Sequence, residues 1–360
     1  MIELLKFVGG AILLIYGANL LIKGASNLAR LFGISSLVIG LTVVAFGTSA
    51  PELAVTINAS ASAKPDIAIG NIIGSNIFNI LFILGISALI SPLFVSRQLI
   101  KSELPVMIFA SIVLFMLSLN LSLDWFEGGI LLSFGIIYTV YMIWKSRRDE
   151  AANLKSDDEK IEGKPQKKSV PMSVALVVFG LALLVLGSNL FVDAAVSFAR
   201  MFGISELIIG LTIVSIGTSL PEVATSIMAS IKGEKDMAVG NVVGSNFFNI
   251  VYILGITALI NPSGLTIQSS LLYFDIPLLL FVSFVCLPLF FTGQEISRWE
   301  GALLFFFYIL YVVYLIMQST NYSGITYFNT TVLYFIFPLS LIIIFATLRN
   351  ALKKHQKLIK

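Results

Sequence analysis

Gly47-Thr48-Ser49-Ala50-Pro51-Glu52 returns later in the chain as Gly217-Thr218-Ser219-Leu220-Pro221-Glu222. The repetition extends well beyond the hexapeptide. Residues 31–90 and 201–260 align without a gap at an offset of 170, with 36 of 60 positions identical. Each copy continues into Gly-Asn-x-x-Gly-Ser-Asn-x-Phe-Asn, Gly70 to Asn79 and Gly240 to Asn249. Further upstream, Tyr16-Gly17-Ala18-Asn19-Leu20 matches Leu186-Gly187-Ser188-Asn189-Leu190.

These motifs lie in apolar surroundings. The 360 residues are 57% hydrophobic and 12% charged, with a mean hydropathy of +0.96. Apolar windows of about 20 residues match the length of a membrane-spanning helix. In lipid every backbone polar group must bond internally, so the expected fold is an all-α integral membrane bundle. Eleven spans are predicted, near 3–22, 36–61, 67–90, 103–120, 126–145, 171–192, 206–231, 237–260, 271–291, 299–317 and 328–348. The first is read as a retained span, since Met1 to Lys6 is not a basic signal-peptide start.

Spans one to five and six to ten form two halves, 1–145 and 171–318. A charged linker, 146–170, separates them and is expected to be disordered. Residues 319–360 hold an extra C-terminal span and a basic tail, Arg349–Lys360. Alternating the spans puts about 20 Lys and Arg on one side and 3 on the other, which makes the first side cytoplasmic. The N-terminus is then outside; linker and C-terminus are inside. Five is odd, so the second half enters from the opposite face. The expectation is two inverted five-helix repeats, ten core helices plus one, related by a pseudo-two-fold axis in the membrane plane.

Two carboxylates inside such a bundle are costly and point to a functional site. Pro51 and Pro221 remove a backbone donor, so the residues before them are expected to be partly unwound, with carbonyls left free. Glu52 lies four residues after Thr48 and three after Ser49, which places all three on one side, and the second copy repeats this. Ser75 and Asn79, like Ser245 and Asn249, are spaced for one helix face. The assembled centre is all oxygen, and a hard cation suits it, Ca²⁺ more than Mg²⁺. One Cys and one His exclude a His/Cys metal site. Taken singly, the Pro is readable as a kink and the Glu as a structural carboxylic acid; repetition at the same motif position argues against both. Asn71, Asn76, Asn241 and Asn246 are expected to support the ligands from behind. Asp66, Asp236, Glu103 and Asp275 are read as helix-start carboxylates. The aromatics of spans ten and eleven are expected to face lipid. The Lys and Arg lie in loops, so nothing suggests nucleic acid as a partner.

At the hexapeptides and the Gly-Ser-Asn-x-Phe-Asn segments the chain resembles the cation/Ca²⁺ antiporter superfamily, in its sodium/calcium exchanger branch with paired alpha-repeats. That resemblance covers about residues 1–317. It implies a secondary antiporter, not an enzyme, exchanging Na⁺ for Ca²⁺ across the plasma membrane by alternating access, with no cofactor. It implies that Glu52 and Glu222 are central ligands and that Thr48 and Thr218 contribute carbonyls. Ser49, Ser219, Ser75 and Ser245 would line Na⁺ positions, with Asn79 and Asn249 in the middle. Ala45 and Ser215 would offer backbone oxygen, and spans one and six would slide to gate the two sides. Asn at both 79 and 249 argues against K⁺ co-transport. Proton-driven relatives carry a different, proline-less motif, although a proton/Ca²⁺ antiporter remains the alternative reading. A channel or ion sensor is the alternative from another class.

Overall fold

The computed structural model describes residues 2–61, 65–156, 170–203, 215–261, 263–291, 293–336, 338, 340 and 341. Among them the chain is helical apart from two short antiparallel ribbons, β1 (Leu93–Phe94) with β4 (Glu295–Ile296) and β2 (Ser122–Leu123) with β3 (Leu265–Thr266). Eight described helices are long and apolar enough to cross a membrane, or nine if one bent pair is a single span.

The helices follow the predicted order. α1 is Ile2–Phe32. The bent pair is α2 (Ser36–Thr48) and α3 (Ala50–Ala61), which meet at 43°. α4 runs from Pro65 to Ile90 with a π-helical turn, Asn79–Ile83, in its middle. α5 (Leu99–Asn120), α6 (Trp125–Ser156) and α7 (Val170–Met201) follow. In the second part α8 is Leu220–Ile231, preceded by the short turn Ser215–Gly217. α9 (Lys235–Ile260) also carries a π-turn, Asn249–Leu254. α10 (Leu271–Phe291), α11 (Arg298–Ser319) and α12 (Ile325–Thr331) complete the description.

Three expectations change. α6 remains helical to Ser156, about ten residues into the stretch assigned to a disordered linker. Lys145 and its neighbours continue the helix because nothing there removes a backbone donor. The rest of the linker (157–169), the start of the seventh span (up to 214), the end of the eleventh (342–348) and the tail Arg349–Lys360 lie outside the described residues. Glu103 and Asp275 are not solvated helix starts. Both are buried at the ends of π-turns and accept a phenol, Glu103 from Tyr138 and Asp275 from Tyr311 at 2.8 Å. A carboxyl in an apolar bundle needs such a donor, and each phenol comes from the next helix. The aromatics of the tenth span do not all face lipid either. Tyr308 is buried against Phe78 and Phe82.

The most closely packed pair is α1 with α7. Gly10 faces Gly187, Gly17 faces Gly180 and Gly24 faces Ser173, so the two helices run antiparallel. A Cβ at Gly17 would lie 2.8 Å from the Gly180 carbonyl oxygen. Small residues let two backbones meet in lipid, where dispersion between close surfaces holds helices together. α4 and α9 are the most completely buried of the long helices, and they cross at the centre of the bundle. That crossing positions the site.

Candidate cation site

The α2–α3 break falls at Ser49 (φ −82°, ψ 6°), and the second break takes in Thr218 and Ser219 (φ −91°, ψ 6°). The first is shorter than the unwound stretch expected, because Thr48 still closes α2 and Ala50 already opens α3. Each break brings a Ser hydroxyl onto the opposite half's carboxylate. Ser49 Oγ donates to Glu222 Oε1 at 3.0 Å, and Ser219 Oγ donates to Glu52 Oε1 at 2.8 Å. Ser219 Oγ also stands 3.2 Å from Ser75 Oγ. Glu52 and Glu222 are each only 1% exposed, which puts both carboxylates wholly inside the protein.

The amides cross in the same reciprocal way. Asn76 Nδ2 donates to the Asn246 carbonyl at 3.2 Å, and Asn246 Nδ2 to the Asn76 carbonyl at 3.1 Å. Their side-chain oxygens accept in turn: Asn79 Nδ2 donates to Asn246 Oδ1 at 3.0 Å, Asn249 Nδ2 to Asn76 Oδ1 at 2.9 Å. This fixes which end of each amide is free. Asn79 and Asn249 open the two π-turns, and their nitrogens are held by the crossing helix. Their oxygens have no hydrogen-bond partner.

Those two oxygens belong to a larger unpartnered set. Glu52 Oε2, Glu222 Oε2, Thr218 Oγ1 and Ser245 Oγ are likewise buried without a partner. Native interiors leave few such groups unsatisfied, and each one calls for an explanation such as a missing ion. Six oxygens, two of them from carboxylates, form a donor set for a hard cation, with Asn amides in place of further charge. No group of three or more His, Cys, Asp or Glu occurs among the described residues, so a softer metal finds no ligands there.

The other predicted residues stand as follows. Thr48 Oγ1 is 3.3 Å from both the Ala45 carbonyl and Asn241 Oδ1. The Ala45 carbonyl also accepts the Ser49 N–H at 3.0 Å, so its lone pairs are engaged in this conformation. Ser215 lies in the helical stretch just before the second break, where the described residues resume. Pro51 and Pro221 sit in the first turns of α3 and α8, two residues past Ser49 and Ser219. Asn241 Nδ2 bonds Ser226 Oγ at 2.9 Å, and Asn71 Nδ2 bonds Thr56 Oγ1 at 3.4 Å. One contact was not anticipated from the sequence. Ser188 Oγ on α7 donates to the Gly217 carbonyl at 2.6 Å. Pro221 has no N–H to offer the carbonyl four residues before it, and Ser188 supplies the missing donor. The signal was present, since Ser188 replaces Ala18 in an otherwise matching Gly-x-Asn-Leu segment.

Comparison with known proteins agrees with this chemistry. The family profile described as sodium/calcium exchanger protein matches residues 2–144 and 172–317, and the chain belongs to that family. It is a multi-pass membrane protein of an exchanger class whose members transport ions. It is 32% identical over 345 residues to the sodium/calcium exchanger MaX1 of Methanosarcina acetivorans, covering 85% of this chain and 96% of that protein. It is 41% identical over 256 residues to the inner membrane protein YrbG of Escherichia coli (strain K12), covering 70% and 78%. Among solved structures, the sodium-calcium exchanger NCX_Mj superposes with a TM-score of 0.74 at 34% identity, covering 87% of this chain and 99% of that one.

Proposed function

We propose that this protein is a secondary antiporter exchanging Na⁺ for Ca²⁺ across the plasma membrane by alternating access. The observation that carries the reading is the set of unpartnered buried oxygens around Glu52 and Glu222. With both carboxylates ionised, one Ca²⁺ neutralises the pair. Na⁺ ions taking the same oxygens neutralise it equally, so the two loads exclude one another. In this reading Glu52, Glu222, Asn79 and Asn249 bind Ca²⁺, while Ser49, Ser219, Ser75, Ser245, Thr48 and Thr218 complete the Na⁺ positions. The Ala45 and Ser215 carbonyls join only in a conformation that releases their present bonds.

The transport cycle uses two inverted five-helix halves, residues 1–145 and 171–318, with an added eleventh span. The linker and C-terminus are cytoplasmic. The reciprocal Ser–Glu and Asn–Asn bonds are what a two-fold axis through the site produces. α1 and α7 form the moving pair, sliding on their glycine-lined interface. Their settings differ in this conformation. α1 packs along α8, where Lys232 Nζ bonds Asn19 and Ser26 Oγ donates to Glu234 at 3.1 Å. α7 makes no comparable contact with α3 among the described residues. Instead Leu181 packs directly on Gly47, beside an open apolar groove of about 670 Å³ lined by Phe46, Ala50, Val185 and Leu186. One side of the site is thus held by polar bonds, and the other by apolar contact alone.

The test is ⁴⁵Ca²⁺ uptake into proteoliposomes loaded with Na⁺ and diluted into Na⁺-free buffer. Na⁺-loaded vesicles should accumulate Ca²⁺; vesicles loaded with K⁺ or acid should not. Uptake driven by internal acid alone would make the protein a proton-coupled exchanger instead.

A further inference from the structure

Two equivalent asparagines outside the ion-binding set are bonded differently. Asn241 on α9 and Asn71 on α4 are the second residues of the repeated Gly-Asn-x-x-Gly-Ser-Asn-x-Phe-Asn segments. Each amide nitrogen is tethered to the helix that follows the break in its own half. Asn241 Nδ2 donates to Ser226 Oγ on α8 at 2.9 Å and approaches the Glu222 carbonyl at 3.5 Å. Asn71 Nδ2 donates at 3.4 Å to Thr56 Oγ1 on α3, the equivalent of Ser226. The difference lies across the bundle. Asn241 Oδ1 accepts from Thr48 Oγ1 of the first break at 3.3 Å. The equivalent donor of the second break, Thr218 Oγ1, has no partner and so does not bond Asn71. The second break is nevertheless beside that face of α4. Ser219 Oγ stands 3.2 Å from Ser75 Oγ, and Ser75 is four residues, about one turn, after Asn71.

Burial follows the bonds. Asn241 is 0% exposed, and α2 lies over its turn of α9, since a Cβ at Gly240 would be 3.0 Å from the Leu37 carbonyl oxygen. Asn71 is only half-buried. The bonds of α1 to Lys232 and Glu234 stand at the same end of α9 as Asn241. The Thr48 bond is also cheap to open. Its one hydroxyl proton is shared with the Ala45 carbonyl, likewise 3.3 Å away, so the donor keeps a partner on its own helix when Asn241 is lost. A bond whose breaking orphans no buried donor is suited to alternate with an equivalent one.

We propose that Asn241 and Asn71 are alternating positioning residues: Asn241 clasps Thr48 in the access state seen here, and Asn71 clasps Thr218 in the opposite one. Each clasp joins the break of one half to a helix of the other, so the bonded clasp marks the end that is shut. In an inverted repeat the second state restages the first with the roles of the halves reversed, which makes this exchange of partners the expected one. The inference rests on the alternating-access reading above and assigns the balance of its two states to side chains that do not bind the ions.

The test is Ca²⁺ self-exchange, ⁴⁵Ca²⁺ against unlabelled Ca²⁺, in Na⁺-free proteoliposomes holding the full chain, with the apparent Ca²⁺ affinity measured at each face. Self-exchange needs no driving ion, so it reads the two access states whichever ion is coupled. Asn241→Ala should lower the affinity at the face on the Asn71 end, relative to the other, by about fivefold, the effect of one lost hydrogen bond. Asn71→Ala should move the same ratio about fivefold the opposite way. Asn71, half-buried and held by one long bond, is the more tolerant position, so its variant decides the matter if thermal unfolding shows that Asn241→Ala does not fold. Shifts in the same direction overturn the inference. So do equal losses at both faces, which would make the asparagines mere supports of the site, and so does an unchanged ratio in Asn71→Ala, which would leave Asn71 without a clasped state. Absence of self-exchange in the wild-type protein would overturn the alternating-access reading and the clasps with it. Self-exchange without Na⁺-driven uptake would overturn only the choice of coupling ion.

Discussion

The two hexapeptides carry the same chemistry in different restraint. Around the first, Thr48 is tied to the Ala45 carbonyl and Asn241, and the helix breaks at one residue. Around the second, Thr218 is unpartnered, the break takes two residues, and the Gly217 carbonyl is held from outside by Ser188 of α7. The carboxylates themselves are equivalent, each bonded by the other half's serine. A duplicated motif thus fixes the charge symmetrically while its surroundings make the two arms unequal. Equal carboxylates let either load neutralise the site. Unequal arms give the ions distinguishable positions.

The strongest way to break that comparison is to remove one charge. Glu52→Gln and Glu222→Gln should each reduce ⁴⁵Ca²⁺ flux by at least about a hundredfold, because the one carboxylate left cannot neutralise a buried divalent ion. Near-normal transport in either variant would remove that residue from the site. The amides come next. Asn76→Ala and Asn246→Ala each release the nitrogen that orients Asn249 or Asn79. The apparent Ca²⁺ affinity should fall about tenfold in both, for one lost charge-directed bond. Unequal losses would mean that the crossing of α4 and α9 is not functionally reciprocal. The threonines separate restraint from binding. Thr48→Val should cost about 1 kcal/mol of stability, read by thermal unfolding, since its hydroxyl is already bonded. Thr218→Val should leave stability unchanged and weaken Na⁺ activation several-fold, since its hydroxyl is free.

Much of this was legible in the residues. Apolar length marked the eight or nine spans found among the described residues, and the helices follow the predicted order because proline, glycine and charged turns punctuate them. The site residues that converge are those the repeat marks, for buried polar groups in lipid have few other reasons to recur. What spacing does not reveal is which partner a polar atom finds across the bundle. Helical spacing turned Asn76 away from Ser75 and Asn79, yet could not say that it would meet Asn246. Glu103 and Asp275 looked like helix starts because each precedes a proline by two residues. Their phenols come from Tyr138 and Tyr311, 35 and 36 residues further on. The π-turns at Asn79 and Asn249 were also invisible, since an extra residue in a helical turn leaves the apolar pattern almost unchanged.

The finest distinction between the arms is Ser188. Its hydroxyl replaces the backbone donor that Pro221 lacks, and it does so from the helix expected to slide. Ala18, at the matching position of α1, has no hydroxyl to give Gly47. The bond therefore favours the present placement of α7 over any other, by about 1 kcal/mol if it behaves as an ordinary buried hydrogen bond. Ser188→Ala should shift the balance between the two access states about fivefold at most. The shift would appear as opposite changes in apparent Ca²⁺ affinity at the two faces, with maximal flux little altered. Ala18→Ser tests the converse, by offering the Gly47 carbonyl the same donor and moving the balance the other way. If Ser188→Ala weakens binding equally at both faces, the bond only shapes the site and does not weigh one state against the other. The difference between the arms would then be a matter of fit alone.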